Sequence, residues 1–292
     1  MAPLRPLVQA NTIQPESALD HNIPRLTLLF NNFQFSSWLL AAAVLQGLLT
    51  WLFPTAWTFI PAVIILGYRA LDVLLIMLGY RSNPYMEGVI TQKFSAQFPD
   101  ANGDFGDKPS RKTVVVLLLG SKSNHPLGIL YPGYLEVVKI FAEMVHDLEQ
   151  NRAEYTYITS NSWISNNDPT VNAAREVMTV FYFESMDGLH RFAHGPIHRK
   201  GWDWWNRTIK QHSEISIMHE VYEAPAGCWE NVYMNYRPSG FATGRFPVQS
   251  VGEGDKLDGT GGGEQQWIGN IVDASRMSMK SSKGRLGKEG NQ

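Results

Sequence analysis

The densest run of chemically capable side chains lies between His190 and Trp205. HRFAHGPIHRKGWDWW places three of eight histidines and three of nine tryptophans within sixteen positions. His190, His194 and His198 are spaced i, i+4, i+8, which puts them on one face of an unbroken helix. Gly195-Pro196 interrupts that helix, because proline removes a backbone donor and displaces the preceding turn. Three uses compete for these imidazoles. A metal site requires converging neutral rings and a further ligand, and with neither HExxH nor a paired carboxylate nearby no metal is expected. A haem needs only one histidine over an aromatic-walled pocket. General acid-base work, or hydrogen bonding to a developing anion, needs an imidazole that titrates near neutrality in a small-molecule pocket. His194 and His198 are the candidate bases, with His190 and Trp202 as walls of the pocket. Ordinary packing and surface exposure are the structural alternative.

Partners for such a pocket lie on the strands. In SEISIMHEVY, His219 alternates onto the side of Ile215, Ile217 and Val221, so it is expected as a buried ring kept neutral by apolar surroundings, and is the third catalytic candidate. Asn161 and Trp163 share their parity with Tyr157 and Thr159, a polar and aromatic row able to orient a substrate. Tyr182 lies in a second such position. Whether this row faces His219 depends on strand pairing, which alternation does not give.

These residues require elements to hold them. Residues 113–119 (TVVVLLL) suit a buried strand, and 133–150 repeat Leu135, Val138, Phe141, Ala142, Val145 and Leu148 at helical spacing. Residues 155–163 and 175–183 are strands by aromatic and β-branched content, 186–211 form a broken helix, and 213–222 a last strand. Residues 229–236 suit an extra edge strand. The order β-α-β-β-α-β predicts a ferredoxin-like α+β domain, four antiparallel strands covered on one face by two helices. Val177, Thr179, Phe181 and Phe183 point one way and Met178, Val180 and Tyr182 the other, so both faces of the sheet are largely apolar. A second copy on the bare face, hence a homodimer, is expected.

Composition adds a membrane. Of 292 residues 44% are apolar and only 18% charged, below the soluble average of about 25%. Residues 35–53 carry no charge, close to the ~20 residues that cross a bilayer as a helix, and 58–80 follow after Pro54-Thr55-Ala56-Trp57. Arg69 and Asp72, at i,i+3 in the second run, are expected to pair. Glu16, Asp20 and two arginines precede the first run, which argues against a cleaved signal peptide. Arg5 and Arg25 before the hairpin and Arg81, Lys93 and Arg111 after it place both ends in the cytoplasm. The chain thus divides into an N-terminal segment (1–34), a membrane hairpin (35–80), a linker (81–112), the α+β domain (113–238) and a flexible tail (239–292). The tail holds a glycine-rich linker at 252–264, a short helix around Trp267 and a basic end. A net charge of −2 argues against nucleic acid as a partner, and the single Cys228 excludes internal disulfides and cysteine zinc cages. GxGxxG after a strand, GxxxxGK[ST] and GxSxG are all absent.

The strings MDGLHRFAHGPIHRKGWDWWN and SIMHEVYEAPAGCWENVYMNYRPSG, within 85–238, resemble a fungal group of membrane-tethered, monooxygenase-like proteins of the dimeric α+β-barrel superfamily. The resemblance covers about half the chain. It implies a pocket between sheet and helices and a small hydrophobic substrate, phenolic or derived from a polyketide or terpenoid. It further implies cofactor-independent oxygenation, with a haem enzyme as the alternative, and secondary metabolism at the endoplasmic reticulum. A non-catalytic membrane-anchored binding protein or scaffold is the rival from another class.

Overall fold

The structure is a computed structural model that describes residues 3–15, 17, 25–165, 175–249 and 265–288. Three helices open the chain: α1 (Arg25–Asn31), α2 (Phe35–Leu52) and α3 (Thr55–Met77). A short strand β1 (Phe94–Ala96) precedes β2 (Val114–Ser123), α4 (Pro132–Gln150), the one-turn α5 (Arg152–Tyr155), β3 (Tyr157–Ile164) and β4 (Glu176–Phe183). The broken helix is α6 (Met186–Ala193) and α7 (Pro196–Thr208), and β5 (Ile215–Ala224) follows. Short β6 (Arg245–Val248), β7 (Gln266–Gly269), β8 (Ile271–Asp273) and α8 (Ser282–Arg285) complete it.

The central sheet has the order β3-β4-β2-β5 with every neighbouring pair antiparallel, the ferredoxin-like arrangement expected from the element order. Against one face pack α4, α6 and α7. Val115 and Leu117 of β2, Phe181 and Phe183 of β4, Val145 and Leu148 of α4, and Leu189 and Phe192 of α6 form that core. The period-2 face of each strand and the 3.6-period stripe of each helix meet there, so apolar area leaves water at about 25 cal/mol per Å².

The other face is not bare, as the sequence suggested. The same chain covers much of it: Val116 and Tyr182 pack on a second core of Leu4, Phe94, Phe98, Phe105, Phe241, Phe246, Ile268, Val272 and Met279. Residues 95–112, expected as a linker, therefore contribute core side chains. So do residues beyond 238, expected as a flexible tail. Trp267 lies on β7 rather than on a helix, paired with Pro247 of β6, and β1 pairs with β8. In the basic end, Arg285 is buried and its guanidinium donates to the Glu230 carboxylate and the Met279 carbonyl. The expected edge strand at 229–236 reduces to two isolated bridges, Ile90 with Tyr236 and Phe94 with Tyr233. The glycine-rich linker at 252–264 lies outside the described residues. What the second face still exposes is an apolar strip of Trp163, Met218 and Tyr222, at 47%, 41% and 55%.

Helices α2 and α3 are long and apolar enough to cross a membrane, and no part of either is buried within the chain. At 1.5 Å per residue they extend roughly 27 and 34 Å. The turn between them is tighter than expected, with Thr55 already helical. Gln46 donates to Thr58 across the hairpin at 3.1 Å. Asp72 pairs with Arg81, just beyond the end of α3, and not with Arg69. A long side chain outside the helix reaches the carboxylate without constraint from helical spacing.

Because Met279 is fully buried in the second core, Met279→Ala should destabilise the detergent-purified protein by ~2–5 kcal/mol, the usual scale for such truncations. Denaturant unfolding measures this, and an unchanged midpoint would return residues beyond 265 to the status of a dispensable tail.

Candidate active site

The break in the second helix is built by its own residues. Ser185 caps α6, its hydroxyl accepting from the Gly188 amide at 3.1 Å. His194 ends α6, and Pro196 takes the first position of α7, where a missing amide hydrogen costs nothing. Two glycines then set how closely these helices approach. A Cβ on Gly188 would stand 2.3 Å from the Tyr155 carbonyl oxygen, and one on Gly201 would stand 2.4 Å from Met144 Cε and 2.7 Å from Ile140 Cγ2 of α4. So α6 is seated on the end of α5, α7 crosses α4, and the break between them lies beside the sheet.

That placement brings three of the predicted histidines together. His219 pairs with Leu119 in the β2–β5 register, and Leu119 packs on the helix-side core, so His219 faces the helical layer. His198 lies half-buried on the first turns of α7 with its ring edge-on to Phe192, 5.4 Å between centroids. Burial holds His198 below the ordinary histidine value of 6.5. A hydrogen bond to the Ala193 carbonyl opposes this, while the nearby rings of His194 and His219 reinforce it, because each disfavours a second positive charge. The ring is thereby neutral at neutral pH. A neutral imidazole has one nitrogen free of a proton, able to accept one.

The remaining candidates divide. Trp202 lies one turn beyond His198 on α7 and is 58% exposed, and Ile217 and Val221, on the His219 side of β5, are 44% and 36% exposed. His190 is exposed, with its ring 6.4 Å from His194, on the outer side of α6. His219 is exposed rather than buried, because β5 is the edge strand and the helices do not extend over it. Asn161 and Trp163 pair with Val180 and Met178, on the face opposite His219. A register shift between Tyr157 and Thr159 separates the expected row: Tyr157 belongs to the helix-side core, whereas Thr159 bonds Thr243 on the other side at 2.7 Å. Tyr182 also belongs to that second face. Its ring packs on Phe241 at 5.7 Å between centroids, and burial raises its pKa, so it acts in packing. Among the described residues no three His, Cys, Asp or Glu side chains gather as a metal site.

Sequence reasoning missed one polar pair in the same layer. Tyr134 of α4, 2% exposed, meets Ser121 Oγ of β2 at 2.9 Å, in the row of the sheet next to His219. Burial raises its pKa and keeps the phenol protonated. Nothing in the sequence marks it, since Tyr134 occupies an ordinary first-turn position. A cavity of about 640 Å³ elsewhere, lined by Lys112, Glu184, Phe246 and Gln265, contains no histidine. Its Lys112 and Glu184 pair with each other at 3.2 Å, which leaves the surroundings of His198 as the better chemical candidate.

Fold and site together define an α+β protein of the ferredoxin-like type with three histidines near one another at the break of the second helix and the edge strand β5. Residues 114–241 match the monooxygenase af470-like family. Over 259 residues, 89% of each chain, the protein is 29% identical to Monooxygenase af470 of Aspergillus fumigatus. Among solved structures, the aldoxime dehydratase OxdRE in complex with butyraldoxime aligns with 68% of this chain and 44% of its own, at 14% identity and a TM-score of 0.37. SnoaB, a cofactor-independent oxygenase from Streptomyces nogalater, aligns with 38% of this chain and 91% of its own, at 9% identity and a TM-score of 0.25. At such scores the fold assignment rests on the strand order itself. The sequence matches support a monooxygenase as the activity class.

The His198 midpoint should lie below 6.5 in a histidine NMR titration, and His194→Ala should move it upward by removing a neighbouring positive charge. Between the folded value and 6.5 the unfolded chain binds more protons, so this residue makes stability fall as pH drops below 6.5. A midpoint at or above 6.5 would contradict the placement.

Proposed function

We propose that this chain is a membrane-anchored monooxygenase that oxidises a small hydrophobic substrate without a cofactor, with His198 as the base. The observation that carries this reading is a half-buried imidazole at the break of the second helix, edge-on to Phe192 at 5.4 Å between centroids, with its pKa lowered by burial and by the nearby His194 and His219. A substrate with an acidified C–H, such as a phenol tautomer or a polyketide methylene, lies along Ile217, Val221 and Trp202. His198 takes the proton. The resulting carbanion gives one electron to dioxygen, and recombination of the two radicals forms a C–O bond. Proton return from His198 makes a hydroperoxide, whose O–O bond breaks as the remaining C–H is lost. In sum, a methylene carbon gives up both hydrogens and keeps one oxygen atom as a carbonyl, while the other oxygen atom leaves with the two hydrogens as water. The substrate therefore supplies all the electrons and no external reductant enters. His194 and His219 supply N–H donors to the developing anion, the kind of electrostatic assistance that is worth most where water is excluded.

A second copy is supported by the exposed strip of Trp163, Met218 and Tyr222 on the face opposite His219, the sheet area a homodimer would bury. In this reading Trp163 and Asn161 serve the interface rather than the substrate. Helices α2 and α3 span the membrane, with Trp51 and Trp57 at the turn and Tyr80 and Tyr85 at the other end as interfacial aromatics. The positive charges flanking the hairpin put the domain in the cytoplasm. An endoplasmic reticulum setting in secondary metabolism rests on the family resemblance.

A haem held by His198 is the second reading, favoured by the Phe192 ring beside it, since a haem needs only one histidine next to an aromatic wall. His198→Ala should lower turnover by ~10²–10⁴-fold with little change in melting temperature, the usual effect of losing a general base. The visible spectrum of the wild-type protein should be featureless. A Soret band abolished by His198→Ala would replace oxygenation without cofactor by haem chemistry, and full turnover in that variant would remove His198 from the site.

A further inference from the structure

The junction between the apolar hairpin and the domain is rigidly built. Asn32 is fully buried. Its side chain donates to the Leu127 carbonyl at 3.0 Å and accepts from the Ile129 amide at 2.8 Å, while its carbonyl accepts from Arg175 Nε at 3.0 Å. Gly128 has φ +57 and no room for a side chain, because a Cβ there would overlap Asn32 Oδ1. Only Phe33 and Gln34 separate Asn32 from the first residue of α2, and at no more than ~3.6 Å per residue the helix begins within about 11 Å of the 127–130 turn. Phe30 and Phe33 pack on Trp38, whose indole donates to the Phe30 carbonyl, so the start of α2 is held as well.

Around this junction the domain exposes apolar side chains that the site described above does not use. Leu127, Leu130, Leu135 and Ile209 are 50%, 44%, 53% and 44% exposed. They are contiguous: the Leu135 amide bonds the Tyr131 carbonyl, and the Tyr131 hydroxyl bonds the Gln211 carbonyl, two residues past Ile209. Behind them stand the rings of His125, Tyr131, His212 and Trp204, with stacked contacts of 4.2 Å for His125–Tyr131 and 5.6 Å for Trp204–His212. Arg207 and Lys210 are exposed at the same end, with Glu214 the acid that follows them in the chain. Apolar tips, amphipathic aromatics and cations beside a span are what an anionic lipid interface accepts.

We propose that this end of the domain, with Leu127, Leu130, Leu135 and Ile209 at its tip, inserts into the headgroup layer of the bilayer that holds the hairpin. The docking rests on the hairpin spanning that bilayer. It orients the sheet, because β2 runs away from this end: nine steps of ~3.3 Å place its first residue about 30 Å from the last. Cys228 follows the end of β5 that pairs with Val114, so it belongs to the distal end. A lipophilic substrate dissolved in the bilayer then reaches α7 without crossing water.

The test uses the full chain in vesicles of phosphatidylcholine and phosphatidylserine, with an environment-sensitive fluorophore on one cysteine at a time and doxyl-labelled lipids as quenchers. The native Cys228 reports the distal end. In a Cys228→Ser background, Leu45→Cys reports the hairpin, and Leu130→Cys and Ile209→Cys the tip. Loss of emission is expected at Leu45 with deep labels and at Leu130 and Ile209 with shallow ones, with none at Cys228. Quenching at Leu45 but at neither tip position overturns the docking and leaves the hairpin standing. No quenching at Leu45 overturns both, and equal quenching at Cys228 and the tip overturns the orientation.

Discussion

The close seating of the broken second helix is the constraint on which the rest of the site depends. A helix carrying ordinary side chains at 188 and 201 would stand off from Tyr155 and from Ile140 and Met144, since the Cβ positions overlap atoms already there. Glycine within a helix costs about 1 kcal/mol relative to alanine, and that loss is offset by the close contact it permits. With both halves fixed, the two residues at the break have little freedom. The place of His198 near His219 of β5 is therefore set by backbone geometry.

This arrangement accounts for the electrostatics. An imidazole at a helix break beside an edge strand is half-buried, neither solvated enough to protonate readily nor enclosed enough to lose contact with a ligand. Its neighbours are two further imidazoles instead of carboxylates, so protonation is resisted and a neutral acceptor is favoured. A carboxylate in the place of His219 would reverse the sign, raising the pKa of His198 and turning the base into a resting acid. The edge position of β5 leaves His219 exposed to solvent.

The second core shows why a small α+β domain is here extended at both ends. The face of a ferredoxin-like sheet that carries no helices must be covered by something, and here β1, β6, β7, β8 and the segment around Leu4 do much of it. This cover is assembled from pieces of three to four residues, each too short to be stable alone. The N-terminal segment reaches it through bridges from Pro6 to Val272 and from Asn11 to Trp267. Its stability is tertiary throughout.

Elements that carry a period were legible in the chain before any folding. The strands of the central sheet, α4, the break at Gly195-Pro196 and the uncharged run of α2 all follow from local composition and spacing, because periodicity and proline act within a few residues. His194, His198 and His219 were legible only as separate candidates, and their proximity depends on how β5 pairs with β2. Other features exist only once distant segments meet. Phe94, Phe98 and Phe105 lie in a stretch without periodicity, so nothing local marks them as core. The bulge after Tyr157 is a matter of pairing with β4, and it moved Thr159, Asn161 and Trp163 to the face away from the histidines. The exposure of His219 follows from the place of β5 at the edge, a property of strand order that no alternation within one strand contains.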